Sequence, residues 1–300
     1  ILKIFINILL NERPQFIITY TVKPNIYLSL ANFFYNVKII NNITGLGSGF
    51  IKKNIIKKIL IFLYRIAFIK SFRIYFHNSF DLNFFLDLKI TNSKNSFSLD
   101  GSGVNLNKFK YSKIINKSNH NNYNFLYFGR MLKEKGVMDL IKAATEVKKN
   151  YKNVNFYLVG SCDINNNDSL KIKILENLSK NKIINYIKHS SNIIEYINSS
   201  DCVILPSYRE GFPKSLIEAC AVGRPIIASN IPGCNDIVTD EFNGFLFNVG
   251  DVNNLIETII KFIKLDFVDK NKMSVNSKNY AIDKFDEKII ISKYIDAINN

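Results

Sequence analysis

The sequence predicts an α/β protein made of two doubly wound halves. Short, near-continuous apolar runs alternate with amphipathic stretches, as in a parallel sheet covered on both faces. That alternation occurs twice, on either side of a polar segment. An apolar fraction of 47% supplies ample material for a core, so a disordered chain is not expected.

The elements follow in order. FIITYT at 16–21 reads as a strand, PNIYLSLANFFY as a helix and VKIINNIT at 37–44 as a strand. A helix then runs through 69, and RIYFHN at 73–78 is a further strand. The segment NKSNHNNYN at 116–124 is polar and helix-poor, and predicts a linker. Beyond it come strand FLYFG (125–129), helix VMDLIKAATEVKKN (137–150), strand FYLVG (156–160) and helix SLKIKILENLSK. Strand CVILPS, helix PKSLIEACAV, strand PIIAS, strand GFLF (244–247) and helix DVNNLIETIIKFIKL (251–265) complete the pattern. The expected organisation is a first domain over 1–118, a second over 123–280, and a C-terminal helix over 281–300 packing back on the first. Two such halves make a cleft at the carboxyl ends of their strands, where ligands of doubly wound folds bind.

Composition excludes several classes. The opening ILKIFINILLNERPQ has neither a basic n-region nor a small-residue cleavage site and reads like the middle of a helix. The most apolar stretch, ILIFLYRIAFI at 59–69, contains Arg65 and is shorter than the ~20 residues of a membrane span. Four cysteines without a C-x-x-C pair read as reduced, cytoplasmic thiols. His77, His120 and His189 are too scattered for zinc, and no D-x-D pair is present, so neither metal nor cofactor is expected. The net charge of +15 has a compositional origin in a sequence rich in Lys, Asn and Ile, or answers an anionic partner: nucleic acid, a membrane face or a phosphorylated substrate. No nucleic-acid-binding module is present, which removes the first. Residues 50–75 interleave Lys52, Lys53, Lys57, Lys58, Lys70 and Arg73 with apolar positions, a pattern suited to an anionic lipid surface.

The chemistry concentrates in SYREGFPKSLIEA at 207–219. Gly211 follows a strand, Pro213 suits the first helical position, and Gly223 suits the helix end. Free N–H groups over 211–215 then form an anion site suited to phosphate. Glu218, roughly 7–8 Å further along the axis at ~1.5 Å per residue, can take the two adjacent hydroxyls of a ribose. Glu210 stands before the helix and can reach a group beyond the phosphates. In FLYFGRMLKEKG, Gly129 ends a strand, and Arg130 and Lys135 supply cations that offset a diphosphate without a metal.

GRMLKEKG, FYLVG and SDCVILPSYREGFPKSLIEACAVGRPIIASNIPGCNDIV…NGFLF together resemble a family-4 glycosyltransferase of the GT-B type, with two Rossmann-like domains. TVKPNIY, NNITGLGSGFI, FHNSFDLNFF and GSGVNLNKF are similar to the branch acting on undecaprenyl-diphosphate-linked sugars in bacterial surface-glycan assembly, as in lipopolysaccharide or capsule. The resemblance implies retaining transfer of a hexosyl or N-acetylhexosaminyl group from a UDP-linked donor to a polyprenyl-diphosphate-linked saccharide or another saccharide acceptor. It places the enzyme peripherally at the inner face of the cytoplasmic membrane. By residue it implies Glu210, Arg130 and Lys135 as catalytic. Glu218, Gly211, Phe212, Pro213, Lys214, Ser215, Leu216, Gly129, Gly160, Thr44 and Gly45 are implied at the substrates. Many relatives carry histidine before glycine where this chain has Thr44-Gly45. The family also opens with a strand and glycine-rich loop not seen here, so the first domain is expected to be incomplete. A nucleotide-sugar epimerase of the same fold and an inactive, truncated remnant are the alternatives.

Overall fold

The computed structural model describes residues 2–47, 50, 55–115, 122–163 and 165–299. The chain forms two compact units, Ile1–Ser102 with Lys288–Asn300, and Gly103–Glu287.

The first unit carries a parallel sheet of β1 (Phe16–Tyr20), β2 (Lys38–Ile43), β3 (Arg73–Phe76) and β4 (Ser96–Ser98), in the order β1-β2-β3-β4. Its helices are α1 (Leu2–Glu12), α2 (Val22–Ala31), α3 (Ile55–Ala67) and α4 (Ser79–Asp87), joined by the C-terminal helix Glu287–Asn299. Alternation along β2 assigns its faces. Ile39 packs with Leu28 and Ala31 of α2, whereas Ile40 packs with Tyr75, Ile290 and Ala297. The asparagines of the run VKIINNIT are fully buried, which requires partners. Asn41 donates to Thr19 Oγ1 (2.9 Å) and Ser29 Oγ (3.0 Å) and accepts from Ser71 Oγ (2.7 Å). Strand order shows no reversal among the described residues of this unit.

The second unit holds six parallel strands: β5 (Tyr123–Phe128), β6 (Val154–Val159), β7 (Asn185–Ile187), β8 (Cys202–Leu205), β9 (Ile226–Ser229) and β10 (Gly244–Phe247). Their order is β10-β9-β8-β5-β6-β7. The order reverses between β5 and β8, and that switch point is where a doubly wound sheet opens a crevice. Helices α5 (Val137–Asn150), α6 (Ile172–Lys180), α7 (Ile193–Ser199), α8 (Lys214–Val222), α9 (Val252–Lys264) and α10 (Phe267–Tyr280) enclose one core, with Phe125 stacked on Phe156 at 5.3 Å.

Two expectations shift. The chain changes unit at Ser102–Gly103 instead of within the polar segment, most of which (116–121) lies outside the described residues. Residues 103–115 belong to the second unit because buried groups hold them there. Ser112 N–H donates to Val222 O (3.1 Å), and the buried Arg224 guanidinium donates to Ser112 O (2.9 Å). At the other end Val104 N–H donates to Phe285 O (2.7 Å) and Val104 O accepts from Glu287 N–H (3.1 Å), a parallel bridge that holds the chain in the second unit, so the change of unit falls at 287–288, not 281.

Candidate functional site

A cleft of about 290 Å³ opens at the switch point of the second unit. Tyr127, Phe128, Gly129, Arg130 and Lys135 line it from the β5 side, and Glu210, Pro213, Lys214, Ser215 and Glu218 from the β8 side. Residues 75 positions apart in sequence, Lys135 and Glu210, thus meet because β5 and β8 are neighbours in the sheet.

The loops after both strands are held by backbone contacts. Lys133–Lys135 form one 3₁₀ turn ended by Gly136, whose φ of 66° is left-handed. A Cβ at Gly136 would stand 1.8 Å from Pro206 O, so only glycine lets this turn lie against the end of β8. Tyr208 N–H then donates to Glu134 O (2.9 Å) and ties the two loops together. The outcome is an ion pair that the spacing alone did not indicate: Lys135 Nζ stands 2.7 Å from Glu210 Oε1. Ser207, fully buried, donates to the same oxygen at 2.6 Å. Glu210 is thereby held by a cation and a hydroxyl on one oxygen, while its second oxygen is the other face of the carboxylate. Arg130 is the more exposed cation, 3.9 Å from Glu134 Oε1.

At the start of α8 the sequence reading needs one adjustment. Pro213 is the N-cap and the helix begins at Lys214, so Pro213 offers shape and no donor. Lys214 and Ser215 carry first-turn N–H groups that have no intrahelical acceptor. Leu216 does not line the cleft: its side chain is fully buried and its N–H donates to Pro213 O (3.0 Å). Phe212 turns its ring onto Phe285, edge-on at 5.6 Å, and supports the loop from the core side. Glu218 does line the cleft, and partial burial raises its carboxyl above the ordinary range while Lys214 and Lys108 oppose that shift.

Gly160 follows β6 and lies against Gly129, where a Cβ would meet Gly129 O at 1.8 Å; it gives room to the Gly129 turn instead of lining the cleft. Thr44 and Gly45 follow β2 in the first unit. Three residues escaped sequence reasoning. Ser207 was hidden because serine at a strand end is ordinary. Tyr127, buried under the cleft, donates to Arg130 O (2.7 Å) and fixes that turn, yet its place in an apolar run reads as core. Lys108 lies in a segment assigned to the other domain. Among the described residues no cluster of His, Cys, Asp and Glu is suited to a metal ion, and the four cysteines are free thiols.

Cations, a helix start and a half-buried carboxylate thus gather at the switch point of a doubly wound sheet, the place where ligands of such folds bind. Residues 109–283 match the family described as Glycosyl transferases group 1, and the chain belongs to that family; it is a glycosyltransferase. It is 27% identical to the N,N'-diacetylbacillosaminyl-diphospho-undecaprenol alpha-1,3-N-acetylgalactosaminyltransferase of Campylobacter jejuni, over 90% of this chain and 81% of that one. The capsular polysaccharide biosynthesis glycosyltransferase CapM of Staphylococcus aureus is also 27% identical, over 93% of this chain and 75% of its own. Among solved structures, HepE of Anabaena in complex with UDP-glucose superposes with a TM-score of 0.83 at 18% identity, covering 99% of this chain and 81% of that one. The last likeness concerns the fold.

Proposed function

We propose that the chain transfers a hexosyl or N-acetylhexosaminyl group from a UDP-linked donor to a polyprenyl-diphosphate-linked saccharide, with retention of anomeric configuration. The observation that carries this reading is the convergence of Lys135, Glu210, Arg130, Glu218 and the start of α8 on one cleft. The relatives' names supply the lipid-linked acceptor.

In this reading Glu218 takes the ribose hydroxyls and the N–H groups of Lys214 and Ser215 face the diphosphate. The acceptor hydroxyl oxygen bonds to the anomeric carbon on the face from which the diphosphate leaves, and its proton passes to the departing phosphate oxygen. Negative charge grows on that leaving group, and Lys135 and Arg130 offset it from fixed positions in a partly dry cleft. Glu210 contacts the sugar while its bond from Ser207 and its pairing with Lys135 keep it in place. No metal takes part, and the work is done peripherally at the inner face of the cytoplasmic membrane, with no nucleic-acid partner.

The test incubates the full-length chain with UDP-GlcNAc, UDP-GalNAc or UDP-Gal and GlcNAc-linked undecaprenyl diphosphate. A lipid-linked product one sugar heavier, with an α linkage by NMR and undiminished by EDTA, is the expected result. Epimerised donor without any lipid product would assign the other activity, and loss in EDTA restored by Mn²⁺ would overturn the metal-free account.

A further inference from the structure

The helix α3 has apolar residues on two opposite sides, and only one of them is used by the fold. Tyr64, Ala67 and the adjoining Phe68 are buried, with Leu60, Ile61 and Leu63 packed against the same core. The second side faces outward. Ile55, Ile59 and Phe62 are 73%, 50% and 61% exposed, and Ile69 just beyond the helix is exposed as well. At ~100° per residue these positions fall within a stripe about 80° wide that also takes in Ile66, with Lys58 and Arg65 along one margin. A contiguous outward stripe of isoleucine and phenylalanine is not what an unpartnered surface helix carries.

Charge narrows the occupant. From 13 to 80 the sequence has ten Lys or Arg and no Asp or Glu. Lys58 is exposed at the edge of the stripe, Lys57 lies over the Phe84 ring (5.2 Å), and Arg65 donates to Leu88 O (2.6 Å), which anchors α3 with the stripe turned out. Pairing this face with a second copy of itself would bring basic margins together with no acidic side chain in the stretch to meet them. A hydrated anionic partner without an apolar phase would leave the isoleucines in water. An anionic bilayer satisfies both demands, because its headgroups take the cations and its acyl boundary takes the stripe. No helix among the described residues is long and apolar enough to cross a membrane, so the geometry is that of a helix lying in the interface.

We infer that α3 inserts its Ile55–Ile59–Phe62–Ile69 face into the boundary of an anionic lipid bilayer, with Lys58 at the headgroups. This rests on the reading of a lipid-linked acceptor for the choice of a bilayer, and adds that adhesion is partly apolar and so partly resistant to salt.

The chain has no tryptophan, so one introduced tryptophan reports a single position. F62W and, as a control on α6 in the other unit, I174W are each titrated with phosphatidylglycerol-containing vesicles, without donor or acceptor. The expected result is a blue-shifted emission for F62W, quenched by lipids brominated in their acyl chains, and no change for I174W. A second pair, wild type and I59Q/F62Q, is sedimented with the same vesicles at ~1 M salt, where the Debye length is ~3 Å. Wild type should retain a bound fraction that falls at least fivefold in the variant. Vesicle binding without any emission change at F62W would overturn insertion in favour of adsorption by charge alone. A blue shift that depends on protein concentration and not on lipid would overturn it in favour of a second copy. UDP binding by I59Q/F62Q should equal wild type, and failure of glycosyl transfer with unaltered insertion would fault the catalytic reading only.

Discussion

Glu218 shows what the residue scale decides. Its carboxyl is raised by partial burial, so the folded protein favours the protonated form and the ionised form is a cost. A raised carboxyl contributes full stability below its unfolded value and loses it as pH rises through the folded value. Glu218→Gln should therefore raise the Tm at pH 7, by roughly 1–3 °C for a unit of this size, and the gain should vanish near pH 4. The same substitution should weaken UDP binding by about 1–3 kcal/mol in calorimetry, as for a lost hydrogen bond to a charged group. Unchanged affinity would remove the ribose assignment. Lys135 and Glu210 behave as a unit. Lys135→Met removes the cation from a largely buried carboxylate that Ser207 still bonds and should cost about 3–5 kcal/mol in chemical denaturation, while adding Glu210→Gln should recover much of it. A double-variant loss equal to the sum of the two single-variant losses would mean the pair is not coupled. The meeting of Glu218, Glu210, Arg130 and Lys135 at one cleft was legible because type, spacing and strand-end position agreed. The Lys135–Glu210 contact was not, since nothing local to either residue records that β5 and β8 are neighbours.

At the scale of elements, periodicity located most strands and helices of the second unit to within about three residues, but not the short helix α7 (Ile193–Ser199). Where it missed, the physical reason is specific. β7 is three half-buried residues, NYI, too short to show a period. α10 mixes Asp, Lys, Asn and Ser and buries Lys270, which bonds Tyr123 Oη (3.0 Å) and Ile263 O (3.1 Å), so its inward face does not look apolar. The start of α8 slipped by one because Pro213 can serve as cap or first residue, and only the backbone distinguishes them. Glycines mark the loops that matter. Gly136→Ala forces an unfavourable φ and a clash with Pro206 O, so the β5–α5 turn must move away from β8. That variant should lose well over 1 kcal/mol of stability and most UDP affinity together, whereas Val249→Ala, on an exposed turn, should change neither. Intact UDP affinity in a folded Gly136→Ala protein would show that the turn does not set the cleft.

For the whole molecule the informative quantity is where charge sits. A net +15 reads as composition when averaged over 300 residues, but a stretch from 13 to 80 with ten basic and no acidic side chains is a local field. Lys57 and Lys58 belong to α3, while Lys52 and Lys53 lie outside the described residues and enter only through their charge. Each basic group near an anionic surface contributes about 1 kcal/mol, less as salt shortens the Debye length. The protein should sediment with anionic vesicles at low salt and release a large part at high salt. Replacing Lys52, Lys53, Lys57 and Lys58 with Gln lowers the net charge from +15 to +11 (15 − 4) and should remove most of the salt-sensitive part of that binding. The salt-resistant remainder, carried by the apolar stripe of α3, should persist in this variant, and UDP affinity in the other unit should not change. Equal sedimentation of wild type and variant at every salt concentration would reduce these lysines to a solvated face and leave the charge of the chain to its composition.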